Sequence, residues 1–133
     1  MPINRARGLE GSPLTLMDRI YGHAGTAITQ ASLTAISYRT FEYASEDDAE
    51  SDTSGTEVST SASLVVADTV FDTLQTDARW TRDSTGYNFR FTLPVARLPN
   101  GGKFIRVEVL FDPTSGDDFP SVWIIEVLAM AGN

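Results

Sequence analysis

The chain has no cysteine and only one histidine, His23, among its 133 residues. The first absence removes disulfide staples, thiolate catalysis and every Cys-ligated zinc site, while leaving the compartment open, because a domain of this size folds without staples. The second leaves too few imidazoles for an ordinary zinc site. A Ser-His-Asp triad would have to draw on His23, which stands beside Gly22 and near Gly25 in an expected turn. Basic residues are also scarce, 10 Lys and Arg against 18 Asp and Glu, for a formal charge of -8. That balance argues against nucleic acid as a partner, since phosphate binding needs a basic face. Nowhere is there a run of about 18 apolar residues for a membrane-spanning helix, and the N-terminal stretch lacks the apolar run of a secretory leader. Neither membrane insertion nor export by a leader is expected.

What is present is enough for one globular domain. With 41% apolar and 10% aromatic residues, the chain can fill a single core at the size of an ordinary domain. Residues 1–13 carry Arg5, Arg7, Gly8, Gly11 and Pro13 without apolar periodicity, and are read as an extended N-terminal arm, either docked on a neighbour or frayed. Residues 14–133 are read as one β-domain. Leu14, Leu16 and Asp18 alternate with Thr15, Met17 and Arg19 as in a strand that ends at a glycine turn, Gly22 to Gly25. From Thr26 to Tyr43 the β-branched and aromatic content argues against a helix, and the shifting parity of the apolar positions predicts a strand with one or two bulges.

Residues 44–63 contain Glu46, Asp47, Asp48, Glu50, Asp52 and Glu57 and no basic residue. Such a cluster has the oxygen donors that calcium prefers. Its spacing does not match the calcium-loop pattern with a central Gly and terminal Glu, so the segment is read as a solvated, flexible acidic loop. Leu64 to Val66 begins another strand, Val70 to Leu74 suits a short helical turn, and Trp80 is read as a core anchor.

The clearest alternation is Tyr87, Phe89, Phe91 on one face against Asn88, Arg90, Thr92 on the other. Asp83 and Gly86 just ahead of Tyr87 have the local chemistry of a tyrosine corner, in which the phenol folds back onto upstream backbone. Asn100-Gly101 marks a tight turn. Beyond it, Ile105, Val107, Val109 and Phe111 form the apolar face of a strand whose other face carries Phe104 and Leu110. The turn from Asp112 to Pro120 holds Asp112, Asp117 and Asp118, read as solvated turn carboxylates in preference to calcium ligands. Ser121 to Met130 is apolar on both faces, as a strand covered by an arm or a second subunit would be.

About seven short strands, turn signals every ten or so residues and the tyrosine-corner pattern predict an all-β, immunoglobulin-like or fibronectin-like Greek-key sandwich. The stretch 28–127 also resembles the small immunoglobulin-like modules of tailed-phage virions, including the N-terminal domain of upper baseplate proteins. The resemblance is carried by Gly86-Tyr87-Asn88-Phe89, by the turn at Gly101-Gly102 and the alternating strand after it, and by the Asp/Gly turn from Asp112 to Gly116. It implies a non-enzymatic structural virion protein of a tailed bacteriophage, assembled in the host cytoplasm: a capsid decoration (cement), head-tail or baseplate accessory subunit. Partners would be other virion proteins and further copies of the chain, with no cofactor and no metal. The expected contact residues are Ile3, Arg5, Arg7 and Leu9 of the arm, with Phe104, Leu110, Trp123 and Ile125. A carbohydrate- or receptor-binding module is the alternative, in which Tyr21, Tyr43 and Trp123 would stack on sugar faces. An enzyme is disfavoured, because nothing near a pair such as Asp117 and Asp118 supplies a nucleophile or a phosphate cradle.

Overall fold

The computed structural model describes residues 3–130. Met1 and Pro2 of the expected arm, and residues 131–133 of the expected domain, lie outside them. Among the described residues, nine strands and two short α-helices run in the order β1 (Ile3–Leu9), β2 (Leu14–Asp18), β3 (Leu33–Tyr43), α1 (Glu46–Ser51), β4 (Thr56–Glu57), β5 (Ala62–Leu64), α2 (Val66–Thr69), β6 (Val70–Gln75), β7 (Tyr87–Leu93), β8 (Phe104–Pro113) and β9 (Phe119–Leu128). They make two sheets packed face to face. One is ordered β1-β9-β8-β3, with β4 and β5 both pairing with the far edge of β3; the other is β2-β7-β6. Every ladder is antiparallel except β1 with β9, which is parallel.

Period-two alternation sends one side of each strand into the space between the sheets. Ile36 and Tyr38 of β3, Val107, Val109 and Phe111 of β8, and Trp123, Ile125 and Val127 of β9 meet Leu16 of β2 and Phe89, Phe91 and Leu93 of β7 in one buried cluster. Aromatic rings carry the contact between layers. Phe89 lies edge-on to Phe111 with centroids 5.0 Å apart, Phe91 edge-on to Trp123 at 6.3 Å, and Tyr38 tilted against Phe91 at 5.2 Å, within the range where quadrupoles favour offset and edge-to-face pairs.

Several sequence expectations are corrected. Residues 3–9 are extended but do not form a separate arm: they are the edge strand of the first sheet, in register from Ile3 opposite Val122 to Leu9 opposite Leu128. The acidic segment 44–63 is structured as α1, β4 and β5. The helical turn expected at Val70 to Leu74 comes four residues earlier, as α2, because Val70 is needed in the core and pairs with Phe89. The bulge expected in β3 is a register shift between Leu33 and Ala35. Asn88, placed on the polar face by alternation, is buried. Its carboxamide accepts from the Ile20 backbone N–H at 2.8 Å and donates to the Ile20 carbonyl at 2.9 Å, standing in for a neighbouring strand where β2 has ended.

The edge strand beside β3 breaks between β4 and β5, and the break is filled by a buried cation. Arg97 donates to the carbonyls of Val58 and Thr60 at 2.8 Å and to the Thr40 hydroxyl at 2.9 Å, and its guanidinium lies 4.9 Å from the Tyr38 ring centroid. Carbonyl dipoles and a π face compensate the charge where, among the described residues, no carboxylate pairs with it. Arg97→Met keeps the stem but strands those acceptors; we expect a loss of about 2–3 kcal/mol in urea unfolding. Gly86 has φ +107°, and a Cβ there would stand 2.4 Å from the Gln75 carbonyl oxygen. Gly86→Ala should therefore cost about 2 kcal/mol or more in the same measurement.

Candidate functional site

The first sheet turns its other face outward, and that face is divided in two. One half is apolar: Tyr43 of β3 and Ile124 of β9 pack with Ala49 of α1, flanked by Ile3, Phe41 and Phe104. A six-residue helix does not hold itself together in water, so local and tertiary contacts must fix it. Ser45 caps its N-terminus by accepting from the Asp48 N–H at 3.2 Å, while Glu46, Asp47 and Asp48 complement the positive end of the helix. From β8, Arg106 donates to the Ala49 and Glu50 carbonyls at 2.9 and 3.1 Å. From β1, Arg5 forms ion pairs with Glu50 and Glu46. The Tyr43 phenol donates to Asp52 just past the helix, and burial followed by that bond pushes it well above its ordinary pKa, so it remains a donor.

The other half is open. A groove of about 420 Å³ runs across β3, β8 and β9, between a polar wall of Ser37, Arg39, Arg106 and Glu108 and an apolar wall of Leu110, Pro120 and Val122. Arg39 stands opposite Glu108 in the β3–β8 register. Arg39 bonds Glu57 at 2.9 Å and Arg106 bonds Glu108 at 2.7 Å, which makes a ladder of alternating charge along the groove. Leu110 is 42% exposed at its rim.

The contact residues expected from sequence divide accordingly. Leu110 lines the groove, and Phe104 packs under α1. Trp123 and Ile125 are corrected: both point inward and are buried in the core between the sheets, leaving no side chain for a partner. Ile3 and Arg5 are engaged with α1 and its neighbours. Arg7 reaches Glu126 at 3.7 Å, and Leu9 is 43% exposed at the end of β1. The groove's Arg39, Arg106, Glu108, Pro120 and Val122 were not singled out from sequence. Their signal was the alternate positions of β8, charged at Arg106 and Glu108 and apolar at Leu110. Of the aromatics that a sugar-stacking site would use, Tyr43 and Trp123 are buried and Tyr21 is exposed.

At one end of the sandwich the expected tyrosine corner takes a different form. The Tyr87 hydroxyl donates to the Asp77 carboxylate at 2.6 Å instead of to upstream backbone, and receives a bond from Arg90 at 3.1 Å. Asp83 is the hub of the turn. It accepts from the N–H groups of Thr85 and Gly86 at 3.0 and 3.1 Å and from the Trp80 indole at 3.0 Å, and pairs with Arg19 at 2.9 Å. Led by the Gly86 amide, these donors pull Asp83 down to about 2. The Tyr87 bond, aided by Arg79, also holds Asp77 far below the usual carboxylate range. At the same end, His23 hydrogen-bonds the Asp117 carbonyl at 2.7 Å and meets Phe119 edge-on at 5.3 Å, beside a cleft of about 340 Å³. Desolvation and the facing Asp112 carboxylate push Asp118 up. Among the described residues, no group of three or more His, Asp and Glu gathers as a metal ion would require.

Because Asp77 and Asp83 have lowered pKa values when folded, the unfolded chain takes up protons first as pH falls. The stability they supply is complete above about pH 4 and drains away as pH drops toward 2. Thermal melts should therefore fall steeply across that window, and Asp83→Asn should flatten the slope while keeping an acceptor for the turn. No family model and no curated protein matches the chain, so a functional reading rests on the geometry of the outer face.

Proposed function

We propose that the chain is a non-enzymatic structural virion protein of a tailed bacteriophage, a capsid decoration or head-tail accessory subunit, and that it acts through the open half of its outer face. We infer further that its two sheets form an immunoglobulin-like Greek-key sandwich. Strand order supports it, since β2-β7-β6 and β3-β8-β9 correspond to the B-E-D and C-F-G sets of that architecture. Such a fold hosts many functions, and the role is set by the site it carries.

One observation carries the reading. The apolar outer face of the sheet is covered at one half by the chain's own helix and left open at the other, where exposed Leu110 and Pro120, beside a buried Val122, border a ladder of paired charges. An apolar wall rimmed by ordered charge suits a protein surface, because the wall gives contact area and the ladder gives orientation. The net charge of -8 favours a basic patch on the partner. Further copies of the chain are the second kind of partner, and the virion is the place of action.

Co-sedimentation of the purified chain with capsids and with tails of the encoding virus, each lacking the chain, tests this. The unaltered chain should bind one of them saturably, and Leu110→Glu should weaken binding about tenfold or more at unchanged melting temperature. Binding to neither particle would overturn the proposal. Saturable glycan binding lost in Tyr21→Ala would instead favour the carbohydrate-binding alternative, for which the exposed Tyr21 is the supporting feature.

A further inference from the structure

At the end of the sandwich opposite His23, the turn before β8 contains Asn100-Gly101, the residue pair in which a backbone nitrogen most readily attacks a side-chain amide. Packing demands the glycine. A Cβ at Gly101 would stand 2.5 Å from the Ala129 Cα, so no larger residue fits after Asn100. The surroundings then hold both reacting groups. The Gly101 N–H donates to Glu10 Oε2 at 2.8 Å, the other oxygen of that carboxylate accepts from the Met130 N–H at 3.0 Å, and the Asn100 amide donates to Glu42 Oε2 at 2.9 Å.

We propose that Asn100-Gly101 is a latent self-modification site, and that the Glu10 carboxylate sets its rate by holding the Gly101 N–H. In the reaction the Gly101 nitrogen loses its proton and attacks Cγ of Asn100. The new N–C bond closes a five-membered imide, and the Cγ–Nδ2 bond breaks as ammonia leaves. Water then opens the imide at either carbonyl, giving aspartate or isoaspartate. The amide anion needed for attack would form against a carboxylate whose negative charge opposes it, so Glu10 acts as a brake. Glu42 keeps the carboxamide turned toward itself.

Conversion would have consequences at both anchors. An aspartate at position 100 faces Glu42 as a like charge where a hydrogen bond stood. An isoaspartate adds a backbone carbon where Gly101 packs on Ala129, pulling Glu10 away from Gly101 and Met130 and loosening the join between β1, the end of β9 and the turn. A protein that persists unreplaced would in this way carry a marker of its age.

The test is peptide mass spectrometry of the full chain held at physiological temperature and mildly alkaline pH, scoring the amide-to-acid mass change and isoaspartate at residue 100. The unaltered chain, Glu10→Gln and the unaltered chain in urea are compared. Conversion should be fastest in urea and slowest in the native chain, with Glu10→Gln at least about fivefold above native. Base-catalysed hydrogen exchange at the Gly101 amide reads the same deprotonation without mutation, and should be slowed about tenfold or more relative to the unfolded chain. Equal rates in native chain and urea, a slower rate in Glu10→Gln, or unprotected exchange at Gly101 would each overturn the proposal.

Discussion

Strand β9 is apolar on both faces, and a strand of that kind has to be covered twice. Trp123, Ile125 and Val127 face the second sheet, while Ile124 on the reverse is buried just as completely. Water excluded from the inner side is the ordinary business of a sandwich. Exclusion from the outer side needs a further layer, which the chain supplies from its most acidic stretch. The folding of residues 46–51 into a helix is thus a consequence of β9, and so is the placement of β1, whose seven-residue parallel ladder closes the edge of the same strand.

Putting an acidic segment over an apolar face creates an electrostatic problem that three features resolve. The carboxylates of the first turn sit at the favourable end of the helix, Ser45 satisfies one of its free N–H groups, and Arg5 and Arg106 reach it from β1 and β8. Arg106 also bonds Glu108, so one guanidinium ties the helix to the charge ladder of the open groove. Arg97 plays the opposite part on the far edge, where two carbonyls, the Thr40 hydroxyl and the Tyr38 ring receive it and the edge strand breaks to present the carbonyls. In this protein arginines, nine of the ten basic residues, help fix where the irregular segments lie.

The outer face therefore has a covered half and an open half that differ by what reaches them. The proposed assembly role belongs to the open half, where Leu110 and Pro120 are left exposed. The corner built around Asp83 and Tyr87 is a structural device: a carboxylate gathers the donors of a turn around Gly86, whose positive φ and close backbone approach only a glycine tolerates. The turn at Asn100 reverses that logic, since the glycine forced there by packing brings a chemical liability that neighbouring carboxylates restrain.

Much of this was legible along the chain. The alternations at Tyr87 to Phe91 and Ile105 to Phe111 specify inward faces, the parity shift near Leu33 announces a bulge, and Ser121 to Met130 announces a strand buried on both sides. Other features were not legible, because each depends on a partner distant in sequence. Asn88 reads as polar and exposed until Ile20, 68 residues away, offers it a backbone to pair with. Trp123 and Ile125 read as contact residues until Phe89 and Phe91 close over them. The acidic run reads as a flexible loop until Ile124 needs a cover. Local sequence by itself determined the alternating strands β7 and β8, the turns beside them and which of their faces are apolar, because backbone sterics and two-residue periodicity act within a few residues. Tertiary structure alone decided which apolar face is covered by the chain and which is left open, because burial is a property of what packs against a residue.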